Sequence, residues 1–191
     1  MRKFLLYFIF SIIFSPFVSA QSSPTDYFRS IASGDWSDIT IWESSPDNLN
    51  WVAATLAPTY LADTILIRNA NDVSLTSSVT ADQVIIDFNA VLINNMAASN
   101  VFTINDGLGD DMLITNGGIY RIISGNGYAG YQTVNSGATV HIKTGGVISI
   151  GSGGPLGGGN HNTFVITPIT FVWDNASIFD WNTFPSIVLP V

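Results

Sequence analysis

The chain has 191 residues, of which 47% are hydrophobic and only 10% charged, enough apolar material for a sizeable core and too much for a disordered chain. Its 14 acidic residues against 6 basic ones give a formal charge of −8, which argues against nucleic acid, whose phosphates need clustered Lys and Arg. It contains no cysteine, which excludes a disulfide scaffold and any thiol chemistry.

Residues 1–20 read as a secretory signal peptide. Arg2 and Lys3 precede an apolar run from Phe4 to Val18, broken by Pro16 and too short to span a bilayer, and Val18-Ser19-Ala20 offers small residues for cleavage before Gln21. Its removal leaves Arg29, Arg68, Arg121 and Lys143 against the 14 acidic residues, a formal charge of −10. Export follows, with no transmembrane segment in the mature chain.

Residues 21–62 form a linker and an aromatic-rich segment containing Trp36, Trp42 and Trp51. The first reading is a cap, because an open sheet end exposes apolar side chains and unpaired edges. The second is a platform on which Trp36, Trp42 and Trp51 stack against a glycan.

Residues 63–151 carry the main architectural signal. Ile65/Ile67, Val84/Ile86, Phe102/Ile104, Tyr120/Ile122 and Val140/Ile142 each place apolar residues at i and i+2, the mark of a strand with one buried face. The first members recur after 19, 18, 18 and 20 residues, a period that points to a β-solenoid. A second set, Val73/Leu75, Val91/Ile93, Met112/Ile114 and Ile148/Ile150, falls between them, and Asn/Gly clusters such as Asn94-Asn95, Gly117-Gly118 and Gly145-Gly146 supply the turns. The expected fold is all-β, a right-handed parallel β-helix of about five coils, on the order of 24 Å long at ~4.8 Å per strand. Val84, Phe102, Tyr120 and Val140 are expected to lie in one vertical file. A β-sandwich of antiparallel hairpins is the alternative. Residues 152–162 read as a Gly-rich loop; it lacks the Lys-Ser/Thr of a phosphate loop. Residues 163–191 read as terminal strands, truncated.

A family resemblance rests on Ser33-Gly34-Asp35-Trp36-Ser37-Asp38-Ile39-Thr40-Ile41-Trp42-Glu43, on Trp51-Val52-Ala53-Ala54-Thr55, on Asp63 to Asn69 and on Phe171 to Asn182. These stretches resemble secreted Bacteroidota surface proteins that continue as β-helical repeats. The resemblance implies an exported scaffold, no transferable catalytic residue, and, in longer relatives, a sorting domain for type IX secretion. The sequence stops at Val191 without such a domain, which suggests an N-terminal region of a longer protein or a short relative.

Chemistry-bearing candidates are few. Asp106-Gly107-Leu108-Gly109-Asp110-Asp111 approximates one copy of a calcium-binding nonapeptide, with Asp106, Asp110 and Asp111 as ligands if an ion binds. A single copy reads better as an acidic turn, and no cofactor is expected. His141 and His161 read as isolated and solvent-facing, without zinc spacing. Arg121 beside His141 and Ile123 beside Lys143 would make a small basic ladder with no acid partner on its face. The leading expectation is therefore a non-enzymatic exported module of a cell-surface protein, a stalk or adhesin meeting polysaccharide or another surface protein weakly. The alternative is a carbohydrate-active β-helix, a polysaccharide lyase or hydrolase accessory region.

Overall fold

The computed structural model describes residues 21–97, 100–123, 131–134, 137–151, 164–165 and 170–181. The expected signal peptide, the Gly-rich loop with His161, and the outer parts of the terminal strands lie outside the described residues. The aromatic segment supplies β1 (Tyr27–Ser30), β2 (Gly34–Asp35), a 3-10 turn at Ile39–Ile41, β3 (Trp42–Ser45) and β4 (Val52–Ala53). Next come β5 (Ile65–Ile67), β6 (Asp72–Leu75), β7 (Val79–Ala81), β8 (Val84–Ile86), β9 (Val91–Asn94) and β10 (Val101–Ile104). The chain continues through β11 (Met112–Ile114), β12 (Ile119–Ile123), β13 (Tyr131–Val134), β14 (Thr139–Ile142) and β15 (Val147–Gly151). It closes with β16 (Phe164–Val165), β17 (Thr170–Trp173) and β18 (Ile178–Trp181).

The protein is all-β, and its strands form three sheets. The first has the order β17-β14-β11-β8-β5-β1-β3-β4, the second β18-β15-β12-β9-β6-β2 and the third β16-β13-β10-β7. From β5 to β15 every strand pairs in parallel with the strand three further on, so the chain visits the sheets in a fixed cycle. Only β1, β3 and β4 pair antiparallel among the described strands. Hairpins of the sandwich type are therefore confined to the N-terminal edge.

The cycle corrects the expected file of residues. Val84 and Val140 belong to the first sheet, Phe102 to the third and Tyr120 to the second. In the first sheet Ile65 lies opposite Val84, 19 positions on, but Val84 lies opposite Met112, 28 on, Met112 opposite Val140, 28 on, and Val140 opposite Phe171, 31 on. The even 18 to 20 residue return is thus genuine for one circuit, and afterwards it steps across faces. The circuits lengthen at two corners: residues 76–78 and 82–83 in the earlier circuit become 95–100 and 105–111 in the next. All four residues are still buried, at 2% exposure or less, because each is the inward member of its own strand.

The corner between the first and second sheets does not lengthen. From β5 onward it is always four residues, 68–71, 87–90, 115–118, 143–146 and 174–177. Each is closed by a bond from its fourth N–H to its first carbonyl, as in Asn71 to Arg68 at 3.0 Å and Gly146 to Lys143 at 2.8 Å. The third residue is left-handed throughout: Ala70, Asn89, Gly117, Gly145 and Ala176 have φ between 56° and 77°. That is the geometry of a type II turn, and it explains Asn and Gly there.

The second sheet brings another correction. Val91/Ile93 is not the inward pair of β9; Leu92 and Asn94 are, opposite Val73 and Leu75. Asn94, read as a turn residue, is a fully buried strand residue whose Nδ2 donates to the Tyr120 hydroxyl at 3.4 Å and whose Oδ1 accepts from the Met96 N–H. Burial raises the Tyr120 pKa well above its ordinary value, so the phenol stays neutral.

At the N-terminal end, β1 and β2 continue the first and second sheets by one strand each, Phe28 opposite Ile65 and Gly34 opposite Val73. β3 and β4 then extend the first sheet beyond them. Trp36 and Trp42 fill the core there, edge to face at 5.3 Å. Their indole N–H groups donate to the carbonyls of Pro58 and Trp36, at 3.0 and 2.9 Å.

Candidate functional site

The first sheet is entered at a corner rich in carboxylates. Asp26, Asp63, Asp82 and Asp110 each stand two residues before mutually paired strand positions, at Phe28, Ile65, Val84 and Met112. Asp111 follows Asp110. An alternating strand sends neighbours to opposite sides, which separates these two acids into different surroundings.

Asp111 is 1% exposed and is held by main-chain donors: Oδ1 accepts from the Gly107 N–H and Oδ2 from the Thr139 N–H, both at 2.6 Å. The Asp82 carboxyl, also buried, lies within hydrogen-bonding reach of Asp111 and accepts from the Gln83 N–H at 2.8 Å. Burial first, then the neighbouring Asp111 carboxyl, pushes the Asp82 pKa up to about 6. A proton on Asp82 relieves the cost of holding a second buried charge there. Gly107 is required beside them, since a Cβ at that position would collide with the Asp82 carboxyl.

Asp110 points to the outer face and meets His141 on β14. His141 Nδ1 lies 2.8 Å from Asp110 Oδ2, and Nε2 lies 3.1 Å from Asp174 Oδ1 beyond β17. The imidazole is 13% exposed and the carboxylates about a third, so three circuits are joined through one ring. With a carboxylate at each nitrogen, both nitrogens serve best as donors, which describes an imidazolium. Burial opposes that charge, yet hydrogen bonds to Asp174 and Asp110 outweigh it and the nearby Lys143, so the His141 pKa is raised. Asp174 is correspondingly lowered, chiefly by its bond to His141.

This arrangement corrects three expectations. His141 is not an isolated surface histidine. Its neighbours in register are Leu113 and Val172, while Arg121 lies opposite Ile93 and Ser149, so the basic ladder of Arg121 with His141 does not form. The face holding His141 does have acid partners. They escaped sequence reasoning because Asp110 is 31 positions before His141 and Asp174 is 33 after, and only the 28- and 31-residue circuits bring them together.

The three carboxylates proposed for calcium diverge. Asp106 lies against Gly137, Asp110 faces His141, and Asp111 is buried and accepts from two backbone N–H groups. Among the described residues no group of three or more His, Asp or Glu converges as a metal-ligand set. Of the tryptophans, Trp36 and Trp42 are 2% and 0% exposed and offer no open face to a sugar. Trp51 is half-buried under the Arg29 guanidinium, 4.0 Å from its ring centre, and Arg29 is itself paired with Glu43 at 2.7 Å.

Fold and site together define an all-β protein of three parallel sheets with ionic links on their outer faces. In comparisons with known proteins, no family model, curated protein or solved structure matches the chain. Among the described residues no helix is long and apolar enough to cross a membrane.

Proposed function

We propose that this chain is a right-handed parallel β-helix, an exported β-solenoid module of a cell-surface protein that acts as a stalk or adhesin without enzymatic activity. The observation that carries this reading is the three-strand cycle: from β5 to β15 every strand pairs in parallel with the strand three further on. A rod is the natural product of such a cycle, because each circuit buries its inner face only against its neighbours. Export rests on the basic and apolar leader at 1–20, and delivery by type IX secretion on the resemblance to secreted Bacteroidota surface proteins. Outward residues of parallel strands, such as Thr103 opposite Thr80, line up hydroxyls along the rod for weak contact with glycans.

A stalk needs stiffness rather than turnover, and the site chemistry agrees. Both nitrogens of His141 are engaged by carboxylates, and Asp111 is buried with a main-chain donor on each oxygen, so neither is a free, solvent-facing base. The reading requires no cofactor. The test uses the mature chain from Gln21: small-angle scattering for an elongated particle, a glycan array, and reducing-sugar release from a polysaccharide panel. Elongation with weak or no glycan binding and no sugar release is expected. A compact sphere, or turnover of any polysaccharide, overturns the proposal and leaves the carbohydrate-active alternative.

A further inference from the structure

We propose that the free edge of β7 is a docking site for a short extended segment of a partner polypeptide, which adds to the third sheet as its missing first strand. At the N-terminal end the other two sheets are closed by one more strand each. The Phe28 N–H donates to the Thr64 carbonyl and the Trp36 N–H to the Ser74 carbonyl, both at 2.8 Å. Among the described strands β7 is the terminal one of the third sheet and pairs only with β10.

The Ala81 carbonyl accepts from the Asn105 N–H at 2.9 Å, so Ala81 faces β10. Successive residues of a strand turn their main-chain groups to opposite sides, which aims the Thr80 N–H and carbonyl away from β10. Neither group has a partner among the described residues.

Beside Thr80 is an open cleft of about 220 Å³, lined by Trp36, Pro58, Thr59, Ser77 and Ser78 among others. Residues 57–59, which line the cleft, do not pair with β7 as a strand. Pro58 has no N–H to give, and its carbonyl already accepts from the Trp36 indole at 3.0 Å.

The geometry selects a peptide. One N–H and one carbonyl from a single residue, presented side by side on a strand edge, are the complement of another strand, and main-chain bonds of this kind carry affinity with little demand on sequence. A sugar would want an aromatic face, and Trp36 at 2% exposure has none to offer. β7 spans three residues, so the added segment pairs over roughly 10 Å. The cleft lining is uncharged, while Asp35 and Asp38 flank Trp36 and Ser37 in the chain. Small uncharged side chains at the centre of the segment and a basic residue at its end fit that setting.

The test titrates a capped hexapeptide, Lys-Thr-Val-Ser-Thr-Lys, into the isotopically labelled mature chain, read by amide chemical shifts and hydrogen exchange. Saturable binding is expected below millimolar peptide, with exchange of the Thr80 amide slowed at least tenfold. Methylating the peptide's central nitrogens should abolish binding, and this control leaves the protein untouched. Thr80→Pro, which deletes the free donor, and Thr59→Trp, which fills the cleft while keeping that donor, should each weaken binding at least tenfold. Absence of shifts at millimolar peptide overturns the proposal, as does equal binding of the methylated peptide. Concentration-dependent dimerisation that Thr59→Trp abolishes, without peptide binding, would assign the edge to a second copy and overturn the partner-strand assignment.

Discussion

Gly117 donates its main-chain N–H to the carbonyl of Gly145 at 2.9 Å, and both residues are left-handed, with φ of 75° and 77°. The same bond runs from Ala70 to Asn89, from Asn89 to Gly117 and from Gly145 to Ala176, at 2.9 to 3.1 Å. The tight corner is therefore a continuous hydrogen-bonded column. Two of its five members, Ala70 and Ala176, are residues for which a left-handed conformation costs about 1–2 kcal/mol.

Substitutions in this column should separate by what a new Cβ meets. At Gly118 it would stand 2.5 Å from the Ile86 carbonyl oxygen, which is main chain and cannot withdraw. At Gly117 it would meet the Phe88 ring at 2.9 Å, and that ring is exposed and free to turn. Chemical denaturation should show Gly117→Ala losing about 1–2 kcal/mol from backbone strain alone, and Gly118→Ala losing more than that, about 3 kcal/mol or above, from the main-chain clash. Ala176→Gly should be neutral or stabilising by up to ~1 kcal/mol, since relief of strain and the added chain entropy of Gly oppose each other. Equal costs at Gly117 and Gly118 would contradict the packing described.

The ion pairs of His141 make stability depend on pH with a definite sign. A histidine whose folded pKa is raised contributes stability that is complete below its unfolded pKa near 6.5 and lost as pH climbs through the folded value. Asp174, lowered in the fold, contributes above its ordinary pKa and loses that as pH falls. The melting temperature of the mature chain should accordingly decline by a few degrees between pH 6 and pH 8.5, and His141→Gln should flatten that decline. A profile for His141→Gln parallel to the parent would show that the imidazole carries no charge in the fold.

Asp82 acts in the same direction over a lower range. Its folded pKa of about 6 exceeds the ordinary carboxylate value, so its contribution is complete at low pH and is lost as pH rises towards 6. Asp82→Asn keeps an acceptor for the Gln83 N–H and adds a donor towards Asp111. Thermal melts should place this variant above the parent at pH 8, by on the order of 1 kcal/mol after solvent screening, and level with it or below at pH 4. Destabilisation at both pH values would count against a raised pKa at Asp82.

The buried indoles give a spectroscopic prediction. Trp42→Ala should cost about 3–5 kcal/mol, the usual toll for deleting a large core aromatic, because Trp42 is fully buried against Trp36. Oligosaccharides should leave the emission of Trp36 and Trp42 unchanged, and any quenching should vanish in a variant that carries Trp51→Phe, Trp173→Phe and Trp181→Phe together, since Trp173 is exposed as well. Quenching that survives in that triple variant would mean that the core indoles reach the ligand.

The chain's own pattern was sufficient for the kind of structure. Period-two apolar pairs separated by Asn and Gly turns place strands at Ile65, Val84, Phe102, Tyr120 and Val140, and each of those residues is inward. The tight corner is legible too, because a left-handed third position selects Gly or Asn in three of its five copies. What linear spacing could not decide is which strand lies on which. Corners that grow from 76–78 to 95–100 and from 82–83 to 105–111, with β10 one residue longer than β7, change the period from 19 to 28 residues, and local propensity carries no information on that sum of lengths. For the same reason the partners of His141, the burial of Asn94 beside Tyr120 and the open edge at Thr80 emerge only in three dimensions. Strand formation is governed by neighbours two residues apart, while register is governed by what packs and hydrogen-bonds across circuits some thirty residues long.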